Sequence, residues 1–141
     1  MAQSIVFYEK PGCLGNLAQQ KLLLGYGFDL LVRNLLETSW DAETLRSFFT
    51  QKNIREWFNT SAPSISSGTI RLSGIDEKTA LQMMIREPIL IRRPLLQYGD
   101  CRQAGFEAGD VFDALGLTPD GVQDLDGCQM PAAFESCGEV P

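Results

Sequence analysis

A cysteine, Cys13, ends the segment Glu9-Lys10-Pro11-Gly12-Cys13, between a short apolar run and a helical repeat. A thiol at the start of a helix faces backbone N–H groups without intrahelical partners and the positive end of the helix dipole. Both favour thiolate over thiol, and the thiolate is the nucleophile. By itself Cys13 is open to two readings, a reactive thiol or a small apolar residue packed at the helix start. The segment Arg92-Arg93-Pro94 is open in the same way. Two adjacent arginines are ordinarily a solvated face. A cis bond before Pro94 would instead bring the backbone against the first helix and aim a planar donor fork at an anion near Cys13.

Composition narrows the chemistry further. The 141 residues include no histidine. That removes the commonest general base, the Ser–His and Cys–His pairs and every His-containing metal site. Cys13, Cys101, Cys128 and Cys137 contain no Cys-x-x-Cys spacing, so no metal site is expected. A net charge of −6 argues against nucleic acid as a ligand. No apolar run has the length of a membrane span, and the N-terminus reads as a strand rather than a signal peptide. A cytoplasmic, monomeric protein with no membrane contact is the expectation, with free thiols rather than a disulfide framework.

The elements that must position these groups follow from periodicity. Ser4 to Tyr8 reads as a strand buried on both faces. A helix begins at about Cys13, with Leu14, Leu17, Ala18 and Leu22 repeating, and Gly25 and Gly27 end it. Phe28 to Leu36 has β character, and Asp41 is an N-cap for a helix carrying Leu45, Phe48 and Phe49 on one face. A short helical segment covers Asn53 to Phe58, and residues 59–74 read as loop. Helix resumes at about Asp76 with Ala80, Leu81, Met84 and Ile85 on one face. A hairpin runs from Leu95 to Tyr98, turns at Gly99-Asp100 and returns from Arg102. The last helix spans about Glu107 to Leu115, with Val111, Phe112 and Leu115 inward. This order predicts an α/β domain, a mixed sheet with helices on its faces.

Three pieces in this order resemble the ArsC/Spx arsenate reductase-like family: residues 5–13, ending in Glu-Lys-Pro-Gly-Cys; residues 86–96, Arg-Glu-Pro-Ile-Leu-Ile-Arg-Arg-Pro-Leu-Leu; and Ala104-Gly105-Phe106 before a helix. The resemblance implies a thioredoxin-like fold with a central helical insertion over residues 1–117. Residues 118–141 then form an acidic, Gly/Pro-rich flexible tail with two cysteines. It further implies a catalytic Cys13 faced by Arg93 and a cis Pro94, with Gly12 and Asn16 in support. No bound cofactor is implied, and glutathione, with glutaredoxin, is the implied thiol donor. Residues 7–13 and Asn53-Ile-Arg-Glu-Trp-Phe-Asn59 are similar to the nitrogenase-associated branch, which implies a nitrogen-fixation protein as a partner.

The chain departs from the family pattern at the arginines. Arsenate reductases of this type use three around the cysteine. Here one is Arg93, and the other two positions hold Asn59 and Gly105, while Asn16-Leu17 replaces Ser-Arg. Arsenate carries about two negative charges near neutral pH, and each lost charge-assisted donor removes about 1.5–3 kcal/mol. Efficient arsenate reduction is therefore not expected. The Spx branch's second cysteine falls on Asn16, which excludes an intrahelical pair. Cys128 and Cys137 are candidate resolving thiols, or incidental ones, because an extended tail covers about 3 Å per residue. Three readings stand: monothiol redox or thiol transfer, a non-catalytic protein-binding module of nitrogen fixation, and a glutathione/glutaredoxin-dependent arsenate reductase.

Overall fold

The computed structural model describes residues 4–49 and 52–118. The apolar run forms β1 (Ile5–Glu9), followed by α1 (Leu14–Gly25) and β2 (Leu30–Asn34). The helical insert comprises α2 (Ala42–Arg46), 3-10 turns at Ser47–Phe49 and Ile54–Trp57, α3 (Pro63–Ser66) and α4 (Glu77–Arg86). A 3-10 turn at Pro88–Leu90 leads to β3 (Leu95–Tyr98), β4 (Cys101–Ala104) and α5 (Asp110–Leu115). The strands form one sheet in the order β2-β1-β3-β4. β1 and β2 are parallel, and both the β1–β3 and β3–β4 pairs are antiparallel. This is the mixed sheet that the element order predicts.

Alternation along the strands sorts the core into two layers. Phe7 pairs with Leu96, and both lie with Ile5, Leu23, Phe106, Val111 and Phe112 under α1 and α5. Tyr8, Leu95 and Ala104 are in register and face the insert, where Trp40, Phe48, Phe49 and Trp57 are buried. Phe49 and Trp57 stack with ring centroids 5.0 Å apart. The insert is thus the cover of one sheet face. Among the described residues, no helix is long and apolar enough to cross a membrane.

Five local expectations change. β1 is fully buried at Ile5 and Phe7 but only half-buried at Val6 and Tyr8. α1 buries Gly15, Asn16, Gln19, Gln20 and Leu23, leaving Leu14 and Leu17 exposed, because polar side chains on that face tie it to the end of β1. The loop over residues 59–74 contains the single turn α3, where Pro63 supplies a helix-compatible φ at the first position. Ile85 is exposed rather than on the buried face of α4. α5 starts at Asp110 rather than Glu107, because Gln103 holds the preceding backbone open. Its Nε2 donates to the Gly105 and Glu107 carbonyls, both at 2.8 Å, and its Oε1 accepts from Val111 and Phe112 N–H. Of the tail assigned to residues 118–141, all but Thr118 lies outside the described residues.

Candidate functional site

Strand register brings three chain segments to one end of the sheet. β1 runs into Lys10, Tyr8 pairs with Leu95, and Leu95 pairs with Ala104. The C-terminal ends of β1 and β4 therefore flank the N-terminal end of β3.

At β1 the chain makes a type II-like turn. Pro11 fixes the first central φ, Gly12 takes φ 83°, and the Cys13 N–H donates to the Lys10 carbonyl at 3.1 Å. A side chain at position 12 would be strained there, so Gly12 sets where Cys13 emerges. Asn16 Oδ1 accepts the Lys10 N–H at 2.9 Å, and Asn16 Nδ2 donates to Gln19 Oε1 at 3.1 Å. Gln20 Nε2 donates to Glu9 Oε1 at 2.7 Å. Asn16 and Gln20 thus fasten α1 to the turn and to the end of β1. Cys13 is the N-cap residue, extended at φ −80° and ψ 114°, and its side chain makes no cap hydrogen bond. It is 4% exposed.

From the segment leading into β3 come Arg93, 8% exposed, and Pro94, joined by a cis peptide bond. The Gly105 N–H donates to the Pro94 carbonyl at 2.8 Å, joining β4 to this segment. Lys10, which sequence reasoning passed over, is 2% exposed. Burial and the Arg93 guanidinium lower its pKa from the ordinary lysine value of 10.5, while Cys13 acts in the opposite sense. The structure thus brings Cys13, Gly12, Asn16, Arg93, Pro94 and Lys10 to the same sheet end. Cys101 pairs with Tyr98 at the opposite end of the hairpin, half-buried against the α1–α5 core. Cys128 and Cys137 lie outside the described residues.

The two positions without arginine have structural duties. Asn59 Oδ1 accepts the Ser61 N–H at 3.2 Å and its Nδ2 donates to the Ile89 carbonyl at 3.3 Å, so this side chain closes a loop. Gly105 has φ 90°, and a Cβ there would lie 2.7 Å from Arg92 Nε. Arg92 therefore lies across the space a side chain at 105 would fill. Its Nη2 pairs with Glu107 Oε1, while Lys52 Nζ reaches Glu107 Oε2 at 2.5 Å. Burial opposes the charge of Glu107, but the hydrogen bonds and charges of Lys52 and Arg92 outweigh it and lower its pKa from the ordinary 4.5. The adjacent arginines divide: Arg93 is buried and Arg92 is a partly exposed ion-pair member.

Comparison with known proteins gives concordant results. Residues 16–114 match the model of the ArsC family. A Rhodospirillum rubrum protein described by its size, 15.7 kDa, and its place in the draG 3′ region is 35% identical, covering 97% of this chain and 96% of its own. An arsenate reductase from Vibrio cholerae superposes with a TM-score of 0.64 at 22% identity, over 74% of this chain and 91% of that one. A possible arsenate reductase from Streptococcus mutans gives a TM-score of 0.67 at 21% identity, over 82% and 99% respectively.

Proposed function

Because the chain belongs to the ArsC family, with its thioredoxin-like fold, we propose that it performs monothiol redox or thiol-transfer chemistry through Cys13. The observation that carries this reading is a thiol at the N-cap of α1, gathered with the buried Arg93 at one sheet end. The helix N-terminus and Arg93 stabilise a thiolate or an anionic substrate. Gly12 and Asn16 fix the turn, and Pro94 leads Arg93 into place. Glutathione is the proposed thiol co-substrate, with no resident cofactor. Arsenate is a poor substrate in this reading, since Asn59 and Gly105 supply no cationic donor. The proposed setting is the cytoplasm.

The test is reaction with glutathione disulfide. The Cys13 thiolate attacks one disulfide sulfur, the S–S bond breaks, and glutathione thiolate leaves and is protonated by water. Cys13 is oxidised to a mixed disulfide as one glutathione is reduced. Peptide mapping is expected to find the adduct on Cys13 ahead of Cys101. An adduct on Cys101 with none on Cys13 contradicts the proposal.

A second reading, a non-catalytic binding module tied to nitrogen fixation, draws on exposed apolar residues. These are Leu14, Leu17 and Leu24 on α1, and Leu31 and Val32 on β2, the edge strand. The sequence resemblance and the relative's place in the draG 3′ region support that setting. Capture of a partner from nitrogen-fixing cells that survives Cys13→Ser but is lost with Leu17→Glu favours this reading. Loss with Cys13→Ser returns the weight to the thiol.

A further inference from the structure

We infer that a cavity beside β4, the edge strand next to the insert, binds a small organic carboxylate through the Arg102 guanidinium. The cavity has a volume of about 80 Å³, and its lining includes Phe48, Lys52, Arg102, Gln103, Ala108 and Asp110. A water takes up about 30 Å³ of liquid, so the space suits a molecule of a few heavy atoms. Cys13, Arg93 and Pro94 lie outside this lining, so the site stands or falls apart from the thiol.

Arg102 alternates with Gln103 along β4, which turns its side chain to the insert side of the sheet, as for Ala104. Its guanidinium carbon lies 5.9 Å from the Phe48 ring centroid, within cation–π range. Its Nε is buried and, among the described residues, has no hydrogen-bond partner. A buried donor on a charged group is costly to leave unpaired. The neighbouring groups are already engaged. Glu107 is bonded at both carboxylate oxygens, by Lys52 and by Arg92. The Gln103 amide serves two carbonyls and two N–H groups of the backbone.

Charge selects the ligand class. Lys52, Arg92 and Arg102 stand with two carboxylates, Glu107 and Asp110, which leaves one positive charge in excess. The chain as a whole carries −6, so this corner runs against its average. A single excess charge suits a monoanion better than a doubly charged phosphate. The Nε–H and the adjacent Nη–H of an arginine form a planar fork that matches a carboxylate. Phe48 and Ala108 supply an apolar wall for a short carbon chain.

The test titrates sodium acetate and sodium propionate into the isotope-labelled full chain at pH 6, with sodium chloride at equal ionic strength as the control. The Arg102 Nε–H and Ala108 N–H resonances report binding. Both carboxylates are expected to shift them saturably with a Kd of about 1 mM, since so few atoms supply limited binding energy. Arg102→Gln, with a dispersed spectrum showing that it folds, is expected to weaken binding about tenfold. If that variant does not fold, Arg102→Lys decides: it keeps the charge without the fork and is expected to bind several-fold more weakly. Shifts that chloride reproduces, or parent-like affinity in the folded variant, overturn the inference. Inorganic phosphate binding more tightly than acetate overturns the assignment to a carboxylate.

Discussion

At the scale of single residues, the site is defined as much by the positions without arginine as by those with it. Gly105 cannot simply be restored to arginine. Its φ of 90° disfavours a side chain, and Arg92 already lies across the vacant volume, anchored by Glu107. Gly105→Arg is expected to lower stability by about 1–2 kcal/mol without raising arsenate turnover, as urea titration and an arsenate assay will show. A stable variant with arsenate turnover would mean that one missing guanidinium is all that separates this chain from an arsenate reductase. Cys13 stands out in the sequence because a thiol between a strand and a helix is distinctive. Arg93 and Pro94 are singled out by the family resemblance, two adjacent arginines being open to a solvated face. The structure gathers all three at one sheet end. Lys10 does not stand out, because lysine is a surface residue by default. The available signal was the Lys-Pro-Gly-Cys turn, which brings its first and fourth residues together.

At the scale of elements, α1 shows why a leucine repeat can mislead. Leu14 and Leu17 are apolar and regularly spaced, yet the buried face carries Asn16, Gln19 and Gln20. The rotation of the helix follows from its tethers, since Asn16 bonds the Lys10 backbone and Gln20 bonds Glu9. Hydrophobic periodicity cannot register such bonds. Gln103 decides the start of α5 in the same manner, a single amide serving two carbonyls and two N–H groups. Gln103→Ala leaves buried backbone groups without partners and is expected to cost about 3 kcal/mol, measured as a lower urea midpoint with an unchanged m-value. An effect under about 0.5 kcal/mol would show that water replaces the amide without loss. Where apolar residues alone govern packing, as with Leu45, Phe48 and Phe49, the expected burial and the observed burial agree.

Over the whole molecule, the sheet separates two cores and gathers the chemistry at one end. The sheet class was legible because the strand–helix–strand start and the late hairpin leave few topologies. The insert's role as the cover of one face was not, since it depends on which strand residues turn toward it. The Lys52–Glu107–Arg92 cluster joins the insert, the β3 approach and the chain after β4, and so links stability to pH. The pKa of Glu107 is lower in the folded chain than the ordinary 4.5. Its stabilising contribution is therefore fully present above the unfolded value and is lost as pH falls through the lowered folded one. Wild type is expected to exceed Glu107→Gln in stability by a constant margin from pH 8 to about pH 5.5. The margin shrinks below the unfolded glutamate value of 4.5. A margin that widens on acidification would contradict the assignment.

The central claim concerns the thiol, and its most direct test is treatment with glutathione disulfide of a chain retaining Cys13 as its sole cysteine, read by intact mass and peptide mapping. A cysteine at the N-cap of α1, at the same sheet end as the buried Lys10 and Arg93, is expected to form one mixed disulfide and to release one glutathione. A folded chain that forms no adduct would remove the basis for thiol chemistry and leave the binding-module reading in its place.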